Sequence, residues 1–262
     1  MYPEQADDQA AKVWLVGAGP GAADLLTLRA ARVIGAAEAL LYDALVESEV
    51  IALAPAACLK IKTGKRAGRA SMEQSTINQL MLRLARKGLR VVRLKGGDPS
   101  ILGRVGEEMS FLHSHGVACE IIPGVTAASA AAAQFGFPLT HRGKAQRILF
   151  TTARLESEVL VDDWRVAADK NLTLAIYMGG SAAGELSRRL IAAGRSPSTP
   201  ALVVERAGSP RARLTRGSLG RLAEMAVSVD GGPILIVVGE VAALADDASC
   251  TPIPDTALAL RA

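Results

Sequence analysis

The chain has 262 residues, half of them hydrophobic, 21% charged and only 3% aromatic. That is enough apolar material for one large or two small packed domains, and too little aromatic surface for base-stacking nucleic-acid platforms. The formal net charge of +4 is spread along the chain with no Lys/Arg block, so no nucleic-acid partner is expected, while an anionic small molecule fits the mild positive balance.

The opening MYPEQADDQAAK is polar and acidic, which argues against a secretory signal. No apolar run approaches the roughly 18 residues of a membrane span, so no membrane partner is expected. Val13–Val16 reads as a strand, and GAGPG (17–21) as a turn. Residues 25–37 have apolar positions at helical spacing. Ala39–Tyr42 is a second strand, 46–54 a short helix, and CLKI (58–61) a third strand that leads into the loop TGKRAGRAS. A helix over 72–87 stops at Gly88, a strand follows at Arg90–Lys95, then a helix over 105–115 and a fifth strand at 118–122. This alternation predicts a mostly parallel sheet with helices on both faces. PGVTAAS then breaks the pattern, with Thr126 placed to cap a following helix. The second half is less regular, with strands expected at 147–152, 172–177, 200–205 and 233–238 and helices at 181–193 and 218–227. Residues 205–219 read as a hairpin or an edge element. The organisation expected is two α/β domains, 12–123 and 124–245, with tails at 1–11 and 246–262.

Cys58, Cys119 and Cys250 are odd in number and far apart, without a CxxC pair. They suit neither a disulfide framework nor a zinc site. No metal is expected, and reduced thiols fit a cytoplasmic protein.

Ligands of open α/β sheets sit beyond the carboxyl ends of the strands. There the sequence places GAGPG after the first strand, Asp43 after the second, TGKRAG after the third, GGDP after the fourth and PGVTA after the fifth. Each cluster alone has a plain explanation. GGDP is ordinary turn chemistry, and a Lys-Arg pair is commonly a solvated loop. GAGPG resembles half of a dinucleotide fingerprint, but Pro20 lacks the N–H that a phosphate cradle needs, and Asp43 comes too late for the ribose. A dinucleotide-dependent oxidoreductase therefore rests on GAGPG alone. What five independent turns do not explain is why Asp43, Lys65, Arg66 and Asp98 gather at one sheet edge.

Taken in order, VGAGPG, YDALV, GKRAG, VRLKGGDP, GRxGEE, PGVTAAS, LTHRG and YMG run from residue 16 to residue 179. With these motifs the chain resembles the uroporphyrinogen-III C-methyltransferases, within the wider tetrapyrrole and precorrin methyltransferase superfamily. The likeness extends over residues 12 to about 243. It implies two α/β domains with S-adenosyl-L-methionine in the cleft between them, and C-methylation of uroporphyrinogen III at carbons 2 and 7. The product would be precorrin-2, reached through precorrin-1, with S-adenosyl-L-homocysteine released. Carried over by motif, Pro20, Gly96, Gly97, Asp98, Ile101, Thr126, Ala127, Met178 and Ala207 would contact the cofactor. Asp43 would be a proton acceptor, Lys65 a proton donor, and Arg104 a catalytic and substrate-binding residue oriented by Glu107. Arg66, Glu107, His141 and Arg154 would bind the tetrapyrrole carboxylates. The resemblance also implies a homodimer, and a product that feeds sirohaem, cobalamin or haem d1.

The chain departs from the family pattern in two places. DPSILGRVGEE replaces DPFxFGRGGEE at Ser100, Leu102 and Val105, and TAR (152–154) replaces TGH. These changes leave open a methyltransferase for a later precorrin. A non-catalytic tetrapyrrole-binding relative is the remaining reading, and Asp43, Lys65 and Arg104 argue against it.

Overall fold

The computed structural model describes residues 12–64, 72–153, 164–227 and 231–246. It divides into two compact units, one ending at Ala127 and the other beginning at Ala128.

The first unit is a five-stranded sheet of β1 (Lys12–Gly17), β2 (Ala39–Tyr42), β3 (Leu59–Lys62), β4 (Val91–Lys95) and β5 (Ala118–Ile122). The order is β3-β2-β4-β1-β5 and every pair is parallel. Its connections carry α1 (Leu28–Gly35), α2 (Ser48–Ala52), α3 (Gln74–Ala85) and α4 (Val105–Ser114). The alternation within β4 assigns the faces. Val92 and Leu94 join Ala30 and Ile34 of α1 and Val50 of α2 in one core. Val91 joins Ile77 and Met81 of α3 and Leu112 of α4 in the other. So α1 and α2 cover one face, and α3 and α4 the other. Neighbouring strands β1 and β4 therefore send their chains to opposite faces, which makes the β1/β4 edge the switch point where open α/β sheets bind ligands.

The helix expected over 25–37 is shorter in the structure. A 3-10 turn at Ala23–Leu25 precedes α1, whose N-cap Thr27 accepts a hydrogen bond from the Ala30 N–H at 3.1 Å. The break falls where Thr27 stays extended to cap the helix.

The second unit follows the start of α5 (Ala127–Gln134). Its strands are β6 (Arg147–Thr152), β7 (Leu172–Tyr177), β8 (Pro200–Glu205), β9 (Arg213–Ser218) and β10 (Ile234–Val238), in the order β6-β7-β10-β8-β9. Only β6 and β7 are parallel. β9 is an edge strand hairpinned onto β8. A core of Leu174, Ile176, Val203, Ile236 and Val238 packs under α7 (Ala183–Ala192) and α8 (Leu222–Val227). The short helix α6 (Trp164–Ala168) has no counterpart in the predicted elements. No helix among the described residues is long and apolar enough to cross a membrane.

One buried cation ties this unit together. Arg195 is 3% exposed and donates to the carbonyls of Ala167, Asp169, Leu172 and Val238 at 2.8 to 3.4 Å. It thereby gathers main-chain carbonyls from the ends of β7 and β10 and the segment before β7 around one planar donor. Replacing Arg195 with Met would strand those carbonyls, so urea denaturation should report a loss of roughly 3 kcal/mol.

Candidate active site

The carboxyl edge of the first sheet is built main chain against main chain. Ala18 donates to the Lys95 carbonyl at 2.7 Å, and Gly19 and Gly97 exchange hydrogen bonds at 3.2 and 2.7 Å. The loop after β5 closes the third side. A side chain at Gly17 would come within 2.6 Å of Gly124 and 2.8 Å of the Gly97 carbonyl, and one at Gly124 would strike that carbonyl too. GAGPG, GGDP and PGVTA thus meet at the switch point because nothing larger than glycine lets them.

Gly97 has a second role. Its φ is +70°, and the direction a side chain would take meets no atom of the described residues within 4 Å. At Gly96 a side chain would meet the edge of Leu45, whose Cβ would lie 3.3 Å away. Among the described residues this half-buried strip of main chain has room beside it, which is what a small polar ligand approaching the backbone requires. Pro20, Ile101, Thr126 and Ala127 are all half-buried. This arrangement fits S-adenosyl-L-methionine.

Asp98 also ties the loops of this edge together. One carboxylate oxygen accepts from the Gly124 N–H at 2.9 Å, and the other from the Ser100 N–H at 2.8 Å and from the Ser100 hydroxyl. The side chain thereby joins the GGDP loop to the PGVTA loop.

Arg104 and Glu107 meet in a two-pronged ion pair, Nε to Oε1 at 2.7 Å and one terminal nitrogen to Oε2 at 2.8 Å. Both are about half exposed. The Arg104 hydrogen bonds hold the Glu107 carboxyl below its ordinary value. The pair therefore persists above the usual carboxylate range and is lost only as pH falls through the lowered value.

Asp43, one residue beyond β2, is paired with Arg93, and its Oδ1 also accepts from the Thr63 hydroxyl at 3.3 Å. Arg93 is 3% exposed and also donates to the Thr63 hydroxyl at 3.0 Å and to Glu108 at 3.2 Å. Lys95, on the same face of β4, donates to both oxygens of Glu108 at 3.0 and 2.9 Å. Gln74 on α3 completes the shell of Glu108 at 3.1 Å. Burial pushes the Lys95 ammonium below its ordinary value, and Glu108 opposes that.

In the second unit Met178, just past β7, is exposed and left-handed at φ 56°. Ala207, just past β8, is buried. The turn that holds it is clamped by Gln134, whose side chain accepts from the Gly208 N–H at 2.9 Å and donates to the Ser209 carbonyl at 3.0 Å. His141 is exposed in a tight turn closed by main-chain bonds to Ala145. Lys65, Arg66 and Arg154 lie outside the described residues.

The described residues other than glycine with positive φ are Leu102, Arg104, Met178 and Arg206. Each is a predicted site residue or its neighbour. Such a conformation costs about 1 kcal/mol and collects at functional sites.

A family model for tetrapyrrole (corrin/porphyrin) methylases matches residues 12–223. The chain belongs to this family. A siroheme synthase of Tolumonas auensis is 47% identical over 94% of the chain, but the match spans only 52% of that protein. The chain is thus about half the length of the curated relatives it matches. Among solved structures, a uroporphyrin-III C-methyl transferase of Thermus thermophilus, complexed with S-adenyl homocysteine, is 43% identical. It covers 88% of this chain and 98% of its own, with a TM-score of 0.76. A cobalt precorrin-4 methyltransferase is 31% identical over 87% of this chain and 95% of its own, with a TM-score of 0.78.

Within this methylase fold, Arg93, Lys95, Glu108 and Gln134 escaped the sequence reading. For the first three a signal existed. A central parallel strand is buried on both faces, so two cations at 93 and 95 demand a buried anion, and GEE supplies one. Nothing in the small-residue run 126–134 distinguishes Gln134. Gly124→Ala should cost roughly 3 kcal/mol of unfolding free energy, because main chain cannot move aside. Gly97→Ala, with room but a positive φ, should cost only about 1 kcal/mol. Guanidinium denaturation of the two variants measures the contrast.

Proposed function

We propose that this chain transfers methyl groups from S-adenosyl-L-methionine to carbons 2 and 7 of uroporphyrinogen III, giving precorrin-2 by way of precorrin-1. One observation carries the reading. The chain spans 98% of a uroporphyrin-III C-methyl transferase solved with S-adenyl homocysteine, at 43% identity, and its own glycine strip lies at the switch point of the first sheet.

When bound, S-adenosyl-L-methionine supplies a methyl group already activated on a sulfonium. The protein's task is then positioning. In this reading Gly96 and Gly97 receive the cofactor along their main chain, Pro20, Ile101, Thr126 and Ala127 line it, and Asp98 holds the loops in place. Met178 and Ala207 are the proposed contacts from the second unit. The Arg104 fork, held by Glu107, binds substrate carboxylate, for which paired N–H donors are well shaped. Arg66, His141 and Arg154 are proposed to take other carboxylates. Leu45 and Leu102, 60% and 40% exposed, offer apolar surface to the macrocycle. Asp43, aimed by Arg93, accepts the proton that leaves the methylated ring, and Lys65 is the proposed donor. We include a homodimer in this reading, checked by light scattering.

A later precorrin is the second reading. It is favoured by the 31% identity with the cobalt precorrin-4 methyltransferase and by the Ser100, Leu102 and Val105 departures. Anaerobic incubation with uroporphyrinogen III and methyl-labelled S-adenosyl-L-methionine separates the two. Mass analysis should find two added methyl groups. No transfer despite S-adenosyl-L-homocysteine binding would move the assignment to a later precorrin. Arg104→Ala should raise the tetrapyrrole KM roughly tenfold or more and leave calorimetric S-adenosyl-L-homocysteine binding unchanged; near-normal turnover would remove Arg104 from the site.

A further inference from the structure

Glu108 has no solvent exposure and no part in the roles assigned above. Yet its contacts end at two of them. Its Oε1 accepts from Arg93 Nε. A guanidinium is planar and rigid, so fixing Nε fixes the plane in which the remaining nitrogens point. Those nitrogens reach the Thr63 hydroxyl and the Asp43 carboxylate. On the other side, both Glu108 oxygens hold the Lys95 ammonium. The Lys95 stem lies under the next loop, with its Cε 3.3 Å from where a side chain at Gly103 would begin. Gly103 directly precedes Arg104, whose φ of 56° places it in the left-handed region.

We propose that Glu108 is a positioning residue: one buried carboxylate that sets the aim of Asp43 through Arg93 and the seat of the Arg104 loop through Lys95. Gln74 of α3 fixes its remaining freedom. A purely stabilising role accounts poorly for this arrangement. Apolar side chains of similar volume commonly serve a core as well as a buried ion pair does, and β4 is otherwise Val and Leu. What an apolar core would not supply is a fixed direction for Arg93. The inference rests on the methyltransferase reading for what Asp43 and Arg104 do, but not for how they are held.

Two measurements on the full chain test it. The first is a double-mutant cycle of Glu108→Gln and Asp43→Asn, assayed anaerobically with uroporphyrinogen III. Glu108→Gln alone should lower kcat roughly tenfold or more, with the KM for S-adenosyl-L-methionine changed less than about threefold. In the Asp43→Asn background the same change should cost little further in kcat, because both substitutions disable one unit, while the share that runs through Lys95 to the Arg104 loop remains as a raised tetrapyrrole KM. Losses in kcat that multiply would overturn the proposal. Glu108→Asp keeps the charge but shortens the reach; it should fall between, and it replaces Glu108→Gln in the cycle if that variant does not fold. The second measurement is a crystal structure of the variant. Arg93 turned away from Asp43 and a displaced 99–104 loop are expected. An unchanged Arg93–Asp43 contact with an unmoved loop would overturn the proposal whichever tetrapyrrole is the substrate. A wild-type chain that leaves uroporphyrinogen III unmethylated would count against the functional reading, while the crystal structure still decides the positioning.

Discussion

The contact on which the first unit turns is the approach of three main chains at Gly17, Gly97 and Gly124. Each of these loops leaves the carboxyl end of a neighbouring strand, β1, β4 or β5, and a single Cβ at Gly17 or at Gly124 would push them apart. Because they touch, Asp98 can reach across to the Gly124 N–H, and Gly97 can take the left-handed turn that leaves its outer side open. The site is therefore a consequence of how the sheet edge closes. The same glycines that permit contact between loops leave room beside the main chain for a ligand.

Strain marks the same places. Leu102, Arg104, Met178 and Arg206 hold conformations that side chains disfavour, and two of them have a visible local restraint. Arg104 heads α4 and is held by Glu107. Arg206 opens the turn clamped by Gln134. Such restraints suit a site whose parts must stand in one geometry before a ligand arrives.

Much of this was legible in the sequence, for reasons that differ by element. Ala39–Tyr42, 118–122, 147–152 and 172–177 are strands at the expected bounds, and Asp43 and Pro123 mark the ends of the first two. The gathering of the clusters after β1, β2, β4 and β5 at one sheet edge followed from βα alternation alone. Two things were hidden. Helix ends depend on caps, so the helix expected from residue 25 starts only after the extended Thr27. The role of Asp98 depends on a partner 26 residues away, which no local pattern reveals. Arg93 and Lys95 looked like polar interruptions in a strand, and their meaning comes from Glu108 on the helix above.

That cluster also explains how a parallel sheet tolerates charge at its centre. Arg93 and Lys95 are cations on the strand, while Asp43 and Glu108 are anions on the loop and the helix that flank it. Each charge has an opposite neighbour, and the shared carboxylate accepts from three side chains, so burial leaves no charge alone. Alternation supplies the rest. Residues 91, 93 and 95 face α3 and α4, while 92 and 94 face α1 and α2. The charged row therefore lies wholly on one side of β4 and leaves the apolar core on the other intact. A shift of one residue in the pairing of β4 with β1 or β2 would turn both cations into the α1–α2 core, away from Glu108. The ion network thus selects the strand register, and with it the alignment of Gly97 against Gly19 on which the ligand-facing edge depends.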